Sequence, residues 1–175
     1  MSIHKCDFEQ DVRNFAQRYN YQLPKEAHFE PGDKSLVHES LFTAFESLGY
    51  VEYSEQGCGP GSYLWDLVDV YLQQIPDNPW KVQDCDSDDG WMTAKVDLVK
   101  TSGETYSFVL EDVYDSDWVP AHLPAEMRKF SKENCDKTLV TFFGDDPFVI
   151  VAMPHQAAEE IYALIRKHGG LTQSD

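Results

Sequence analysis

Along the first part of the chain, apolar residues return every three to four positions. Phe8, Val12, Phe15, Ala16 and Tyr19 fall at i, i+4, i+7, i+8 and i+11, the stripe by which an amphipathic helix buries one face. Asp7 precedes the stripe and Gln10 stands three places later, close to a capping box. Tyr21 to Gly32 carries Pro24 and "EPGD" and reads as a loop. Val37, Leu41, Ala44, Phe45 and Leu48 repeat the spacing, predicting a second helix from Ser35 to Leu48 that stops at Gly49. Leu64, Leu67, Val68, Tyr71 and Leu72 form a third stripe, closed by "IPDNP".

From Trp80 the period changes. "WKVQDC", "WMTAKVDLVK" and "TYSFVLEDV" alternate, or run β-branched and aromatic, and "TSGE" between the last two makes a hairpin turn. In the middle segment Trp91, Thr93, Lys95, Asp97 and Val99 share one face, while Met92, Ala94, Val96 and Leu98 share the other. "PAEMRKFSKEN" from Pro124 reads as a short helix. "KTLVTFF" and "PFVIVAMP" are two strands joined through Gly144, Asp145 and Asp146. The last helix follows Pro154, with Ala158, Ile161, Leu164 and Ile165 as its stripe, Arg166 and Lys167 at the negative end of its dipole, and Gly169 as its stop.

Strands joined by hairpins make an antiparallel sheet. The expected fold is therefore α+β: about five antiparallel strands with helices packed on one face, two to three of them N-terminal to the sheet. At 175 residues a single globular domain is expected, spanning 1–175 with 171–175 as a frayed tail. From Tyr63 onward the predicted order is α-β-β-β-α-β-β-α. That order resembles the type III secretion chaperones, over about the last two thirds of the chain. The resemblance implies a client-binding protein that forms a homodimer.

Charge changes the picture more than any motif does. The chain carries 31 acids against 14 bases, a formal charge of −17. Residues 81–120 hold 10 acids and 3 bases, the steepest imbalance in the sequence. Nucleic acid and anionic lipid need Lys and Arg to meet their phosphates, so neither is an expected partner. No apolar run approaches the roughly 20 residues of a membrane span, and "MSIHKCDFEQDV" has no signal-peptide core. A cytoplasmic protein is expected.

Two acidic runs dominate. "DCDSDDG" holds Asp84, Asp86, Asp88 and Asp89 in the turn between two strands; "EDVYDSD" holds Glu111, Asp112, Asp115 and Asp117 after the third strand. On an antiparallel meander both runs emerge at one edge, beside Trp91, Tyr114 and Trp118. Aromatic residues flanking acids suit an interface with a basic protein, which such a surface also steers in. The expected partner is a basic toxin domain or a secreted effector, and the expected role is inhibition, as a bacterial immunity protein inhibits its toxin.

Chemistry-bearing motifs are scarce. "GCGPGS" at 57–62 lacks the Lys of a P-loop and the second glycine of a nucleophile elbow, so a turn with Ser62 as helix cap is expected. An EF-hand register from Asp84 puts Asp89 where glycine belongs and Lys95 where the bidentate Glu belongs. Cys6, Cys58, Cys85 and Cys135 never form a CxxC and are expected to be reduced thiols. A Cys58–His122 pair defines the thiol-enzyme alternative, and a looser divalent-cation site in the acidic runs defines the metal-dependent one. The expectation is a non-enzyme with no catalytic residues, no resident metal and no cofactor.

Overall fold

The structure is a computed structural model, and it describes residues 5–29, 34–53, 62–87, 92–111, 113, 119–120 and 122–169. The predicted stripes become helices. α1 runs Lys5–Arg18, α2 Lys34–Phe45 with a 3₁₀ turn Glu46–Leu48, α3 Ser62–Gln73, α4 Leu123–Asn134 and α5 His155–Lys167. The strands are β1 Tyr50–Tyr53, β2 Trp80–Ser87, β3 Thr93–Lys100, β4 Thr105–Glu111, β5 Thr138–Phe143 and β6 Pro147–Met153. From α3 onward the order is the expected one. No helix among the described residues is long and apolar enough to cross a membrane.

The fold is α+β, but the strands do not form the one five-stranded sheet that was expected. Six described strands form two three-stranded sheets, ordered β1-β6-β5 and β2-β3-β4. The correction follows from β1, a four-residue strand the hydrophobic pattern did not announce. It pairs antiparallel with β6, Tyr50 opposite Ile150 and Tyr53 opposite Pro147, and completes a sheet with the β5–β6 hairpin. Backbone contacts divide the chain the same way. Unit 1 comprises Met1–Tyr53 with Val140–Asp175, and unit 2 comprises Ser54–Leu139.

Unit 1 is held by both ends of the chain. Phe8, Val12 and Phe15 of α1 join Val37, Leu41 and Phe45 of α2, Val140 and Phe142 of β5, Val149 and Val151 of β6, and Ile161 and Ile165 of α5 in one buried cluster. Its rings pack closely, with Phe45 and Phe142 5.0 Å apart and Phe15 edge-on to Phe45 at 6.1 Å. Gly49 is fixed by close approach. A Cβ there would lie 2.3 Å from the Ile150 carbonyl oxygen, so only glycine lets β1 start against β6.

Unit 2 is built from neighbours in sequence. β2, β3 and β4 form a meander, α3 packs against β2 and α4 against β4. Leu64, Leu67, Val68, Tyr71 and Leu72, the whole predicted stripe of α3, are buried, as are Leu123, Met127 and Phe130 of α4. Phe130 meets Trp80 and Tyr106 at 5.1 Å each, a compact aromatic centre. The Pro79 carbonyl accepts hydrogen bonds from the backbone N–H and Oγ of Thr101, tying the β3–β4 turn to the start of β2.

Candidate functional site

On β3 the alternation works as read. Ala94, Val96 and Leu98 are buried, whereas Thr93 and Lys95 are exposed and Asp97 is half-exposed. Met92 is the exception. It was assigned to the inner face, yet it lies ahead of the strand and is 46% exposed. β4 follows suit, with Phe108 and Leu110 inside and Ser107, Val109 and Glu111 outside.

β2 needs a device to join them. Its register shifts between Val82 and Asp84, a β-bulge at Gln83. Strict alternation from buried Trp80 and Val82 would turn Asp84 and Asp86 inward. The extra residue resets the phase, so both aspartates are exposed and Cys85 is the half-buried one. Asp84, within the segment "WKVQDC", and Asp86, expected in the turn beyond it, are both strand residues. Glu111, which opens the run "EDVYDSD" and falls within the segment "TYSFVLEDV", is the last residue of β4.

The register then assembles an outer face. Asp86 lies opposite Lys95, which lies opposite Val109. Asp84 lies opposite Asp97, which lies opposite Ser107, and Thr93 lies opposite Glu111. Of the residues expected at this rim, the structure thus puts Asp86 and Glu111 towards one end of the sheet and Asp84 on the same face at mid-strand, level with Asp97. Asp88, Asp89, Trp91, Asp112, Tyr114, Asp115, Asp117 and Trp118 lie outside the described residues.

Lys95, Asp97 and Ser107 of this face were not among the expected contacts. Lys95 Nζ donates to Asp97 Oδ2 at 2.8 Å, and Ser107 Oγ donates to Asp97 Oδ1. Like charges directly opposite on paired strands repel, and Asp84 faces Asp97. Lys95 offsets that repulsion. The hydrogen bond to Asp97 raises its ammonium pKa above the ordinary lysine value, slight desolvation opposes the rise, and the fields of Asp97, Asp84 and Asp86 add to it. The bond from Lys95 and then that from Ser107 hold the Asp97 carboxyl below its usual range. Lys95 and Asp97 were legible as members of the wet face. Their placement among Asp84, Asp86 and Ser107 was not, because it depends on cross-strand register. Val109, 54% exposed, presents an apolar side chain in the same row as Asp86.

Nucleophilic chemistry finds little footing on the described thiols. Burial pushes Cys85 up to about 11, with Asp84 and Asp97 adding to the rise, and burial pushes Cys135 up to about 11, aided by Asp136. A thiolate is the reactive form, so both are poor nucleophiles at neutral pH. Cys58 and the rest of segment 57–61 lie outside the described residues. Among the described residues, no three His, Cys, Asp or Glu side chains are grouped to hold a metal ion.

Unit 1 spends its acids differently. Asp11 Oδ2 accepts hydrogen bonds from Lys167 Nζ at 2.6 Å and His168 Nε2 at 2.8 Å, joining α1 to the end of α5. Partial burial pushes the Asp11 carboxyl up, but those two bonds and the charges behind them outweigh it, and its pKa lies below the ordinary value. Glu160 of α5 accepts hydrogen bonds from Arg18 and from the Tyr19 hydroxyl. Comparison with protein-family models, with curated proteins and with solved structures found no match.

Proposed function

We propose that this protein is a non-enzymatic binding module that docks a basic protein on the acidic outer face of unit 2, acting in the cytoplasm as an immunity-type inhibitor of a cationic toxin. The observation that carries the reading is the outward presentation of Asp84, Asp86, Asp97 and Glu111 on one face of the β2–β3–β4 sheet. Such a face raises the encounter rate with a cationic partner and suppresses binding of acidic ones. Unit 2 carries 17 acids and 7 bases, and four of those bases, Arg128, Lys129, Lys132 and Lys137, fall in or just after α4. The outer face itself carries Asp84, Asp86, Asp97 and Glu111 against Lys81 and Lys95, an acidic balance that favours steered approach of a cationic partner.

The test compares the native chain with the Asp84→Lys/Asp86→Lys double variant. The native chain, immobilised at low salt in a lysate of its source cell, is expected to retain a basic enzyme and to inhibit it at one-to-one stoichiometry. The variant is expected to associate at least about tenfold more slowly, with a shallower salt dependence. Retention of no cationic protein sinks the reading, and so does a variant that binds as fast as the native chain.

A second reading, a chaperone for one secreted client, has the observed order from α3 to α5 in its favour. It predicts a stable homodimer, which light scattering on the purified chain decides.

A further inference from the structure

Unit 1 is discontinuous in sequence and unit 2 is continuous. The chain leaves the first sheet after β1 and rejoins it at β5, and both strands flank β6. β1 ends opposite Pro147 at the start of β6, whereas β5 enters at the Met153 end, so the chain leaves and rejoins this sheet at opposite ends. Unit 2 is thus the whole excursion between the two edge strands of a sheet to which β2, β3 and β4 do not belong.

We infer that unit 2 is an autonomously folding insert in a host made from the two ends of the chain. It has a core of its own. Helices α3 and α4, the meander and the centre formed by Trp80, Tyr106 and Phe130 all fall within Ser54–Leu139. That span exceeds the roughly 60-residue domains that commonly fold alone. Each tertiary hydrogen bond named above, Asp11 with Lys167 and His168 or Thr101 with Pro79, joins residues of one unit. At the exit, the Leu139 backbone N–H donates to Ser131 Oγ at 2.8 Å, so unit 2 holds its own last residue. Pairing within the meander is local, which favours independent folding. Asp84, Asp86, Asp97 and Glu111 all belong to this insert, so the docking face proposed above travels with it; the autonomy does not depend on that reading.

The chain supplies its own reporter. All four tryptophans, Trp65, Trp80, Trp91 and Trp118, fall in unit 2. Urea unfolding of the full chain, followed in parallel by tryptophan emission and far-UV circular dichroism, therefore separates the units. Phe142→Ala, in the unit 1 core, is expected to lower the dichroism midpoint by about 1 M or more and leave the emission midpoint within about 0.3 M. Phe130→Ala, in the unit 2 core, is expected to lower the emission midpoint by a similar amount. If Phe142→Ala does not fold, the smaller deletion Val149→Ala takes its place. A single transition that both substitutions move equally, or an emission midpoint that follows Phe142→Ala, overturns the inference and leaves one cooperative domain.

Discussion

Unit 1 and unit 2 are both acidic, yet their acids do different work. In unit 1, Asp11 and Glu160 are turned onto partners from the opposite end of the chain, Lys167 and His168 in one case and Arg18 and Tyr19 in the other. There the carboxylates are fasteners. In unit 2, Asp84 and Asp86 project from an outer sheet face whose nearest cation, Lys95, is already bonded to Asp97. There the carboxylates make a surface. Counting charge along the sequence separates the two units only weakly, net −7 against net −10. Tertiary placement is what distinguishes a clasp from a dock.

The comparison can be broken most forcefully at the point where unit 1 closes. Gly49→Ala would drive a methyl into the Ile150 carbonyl and the side chains of Val149 and Val151. The substitution should cost about 1–3 kcal/mol, the usual penalty for overpacking. Chemical denaturation read by far-UV dichroism measures it. The tryptophan signal should stay where it was, and a shift there of equal size would mean that the units do not differ as described.

A gentler probe uses protons. The folded-state pKa of Asp11 lies below its ordinary value of 3.8. The bound carboxylate therefore contributes stability that is complete above about pH 4 and is lost as pH falls through the folded pKa. Asp11→Asn should flatten the acid limb of the stability curve below about pH 4. At neutral pH it should cost less than about 1 kcal/mol, because the carboxylate is partly exposed. A pH series of urea melts checks both points. An unchanged acid limb would remove Asp11 from the fastener class.

The smallest effect belongs to Lys95, whose ammonium is exposed. Lys95→Gln should leave the denaturation midpoint unchanged within error, while the Asp97 carboxyl moves back up towards its ordinary range. Carboxyl-carbon NMR titration reads that movement. If Lys95→Gln instead unfolds unit 2, the outer-face charges are structural and the contrast with unit 1 disappears.

Much of the local architecture was legible beforehand. The stripe Leu64, Leu67, Val68, Tyr71 and Leu72 named the buried face of α3 in full, and Ala94, Val96 and Leu98 named the inner face of β3. Both follow from the geometry of a single element, where burial repeats every 3.6 or every 2 residues. The rim residues were only partly legible. The meander order carried Asp86 and Glu111 to the same end of the sheet, but the outward positions of Asp84 and Asp86 depend on a bulge at Gln83 that no local pattern announces. β1 stayed hidden because "YVEY" is too short to establish a period, and its partner in β6 lies near the other end of the chain.

By itself, then, the sequence determined which segments coil, which extend, and which side of each is apolar, since those follow from contacts a few residues apart. Tertiary structure decided that the strands divide into two sheets, that one extra residue in β2 turns two aspartates outward, and which carboxylates meet a cation. Those outcomes depend on pairings between distant segments. Their free energy depends on register and on the packing of whole elements, which no single window of the chain contains.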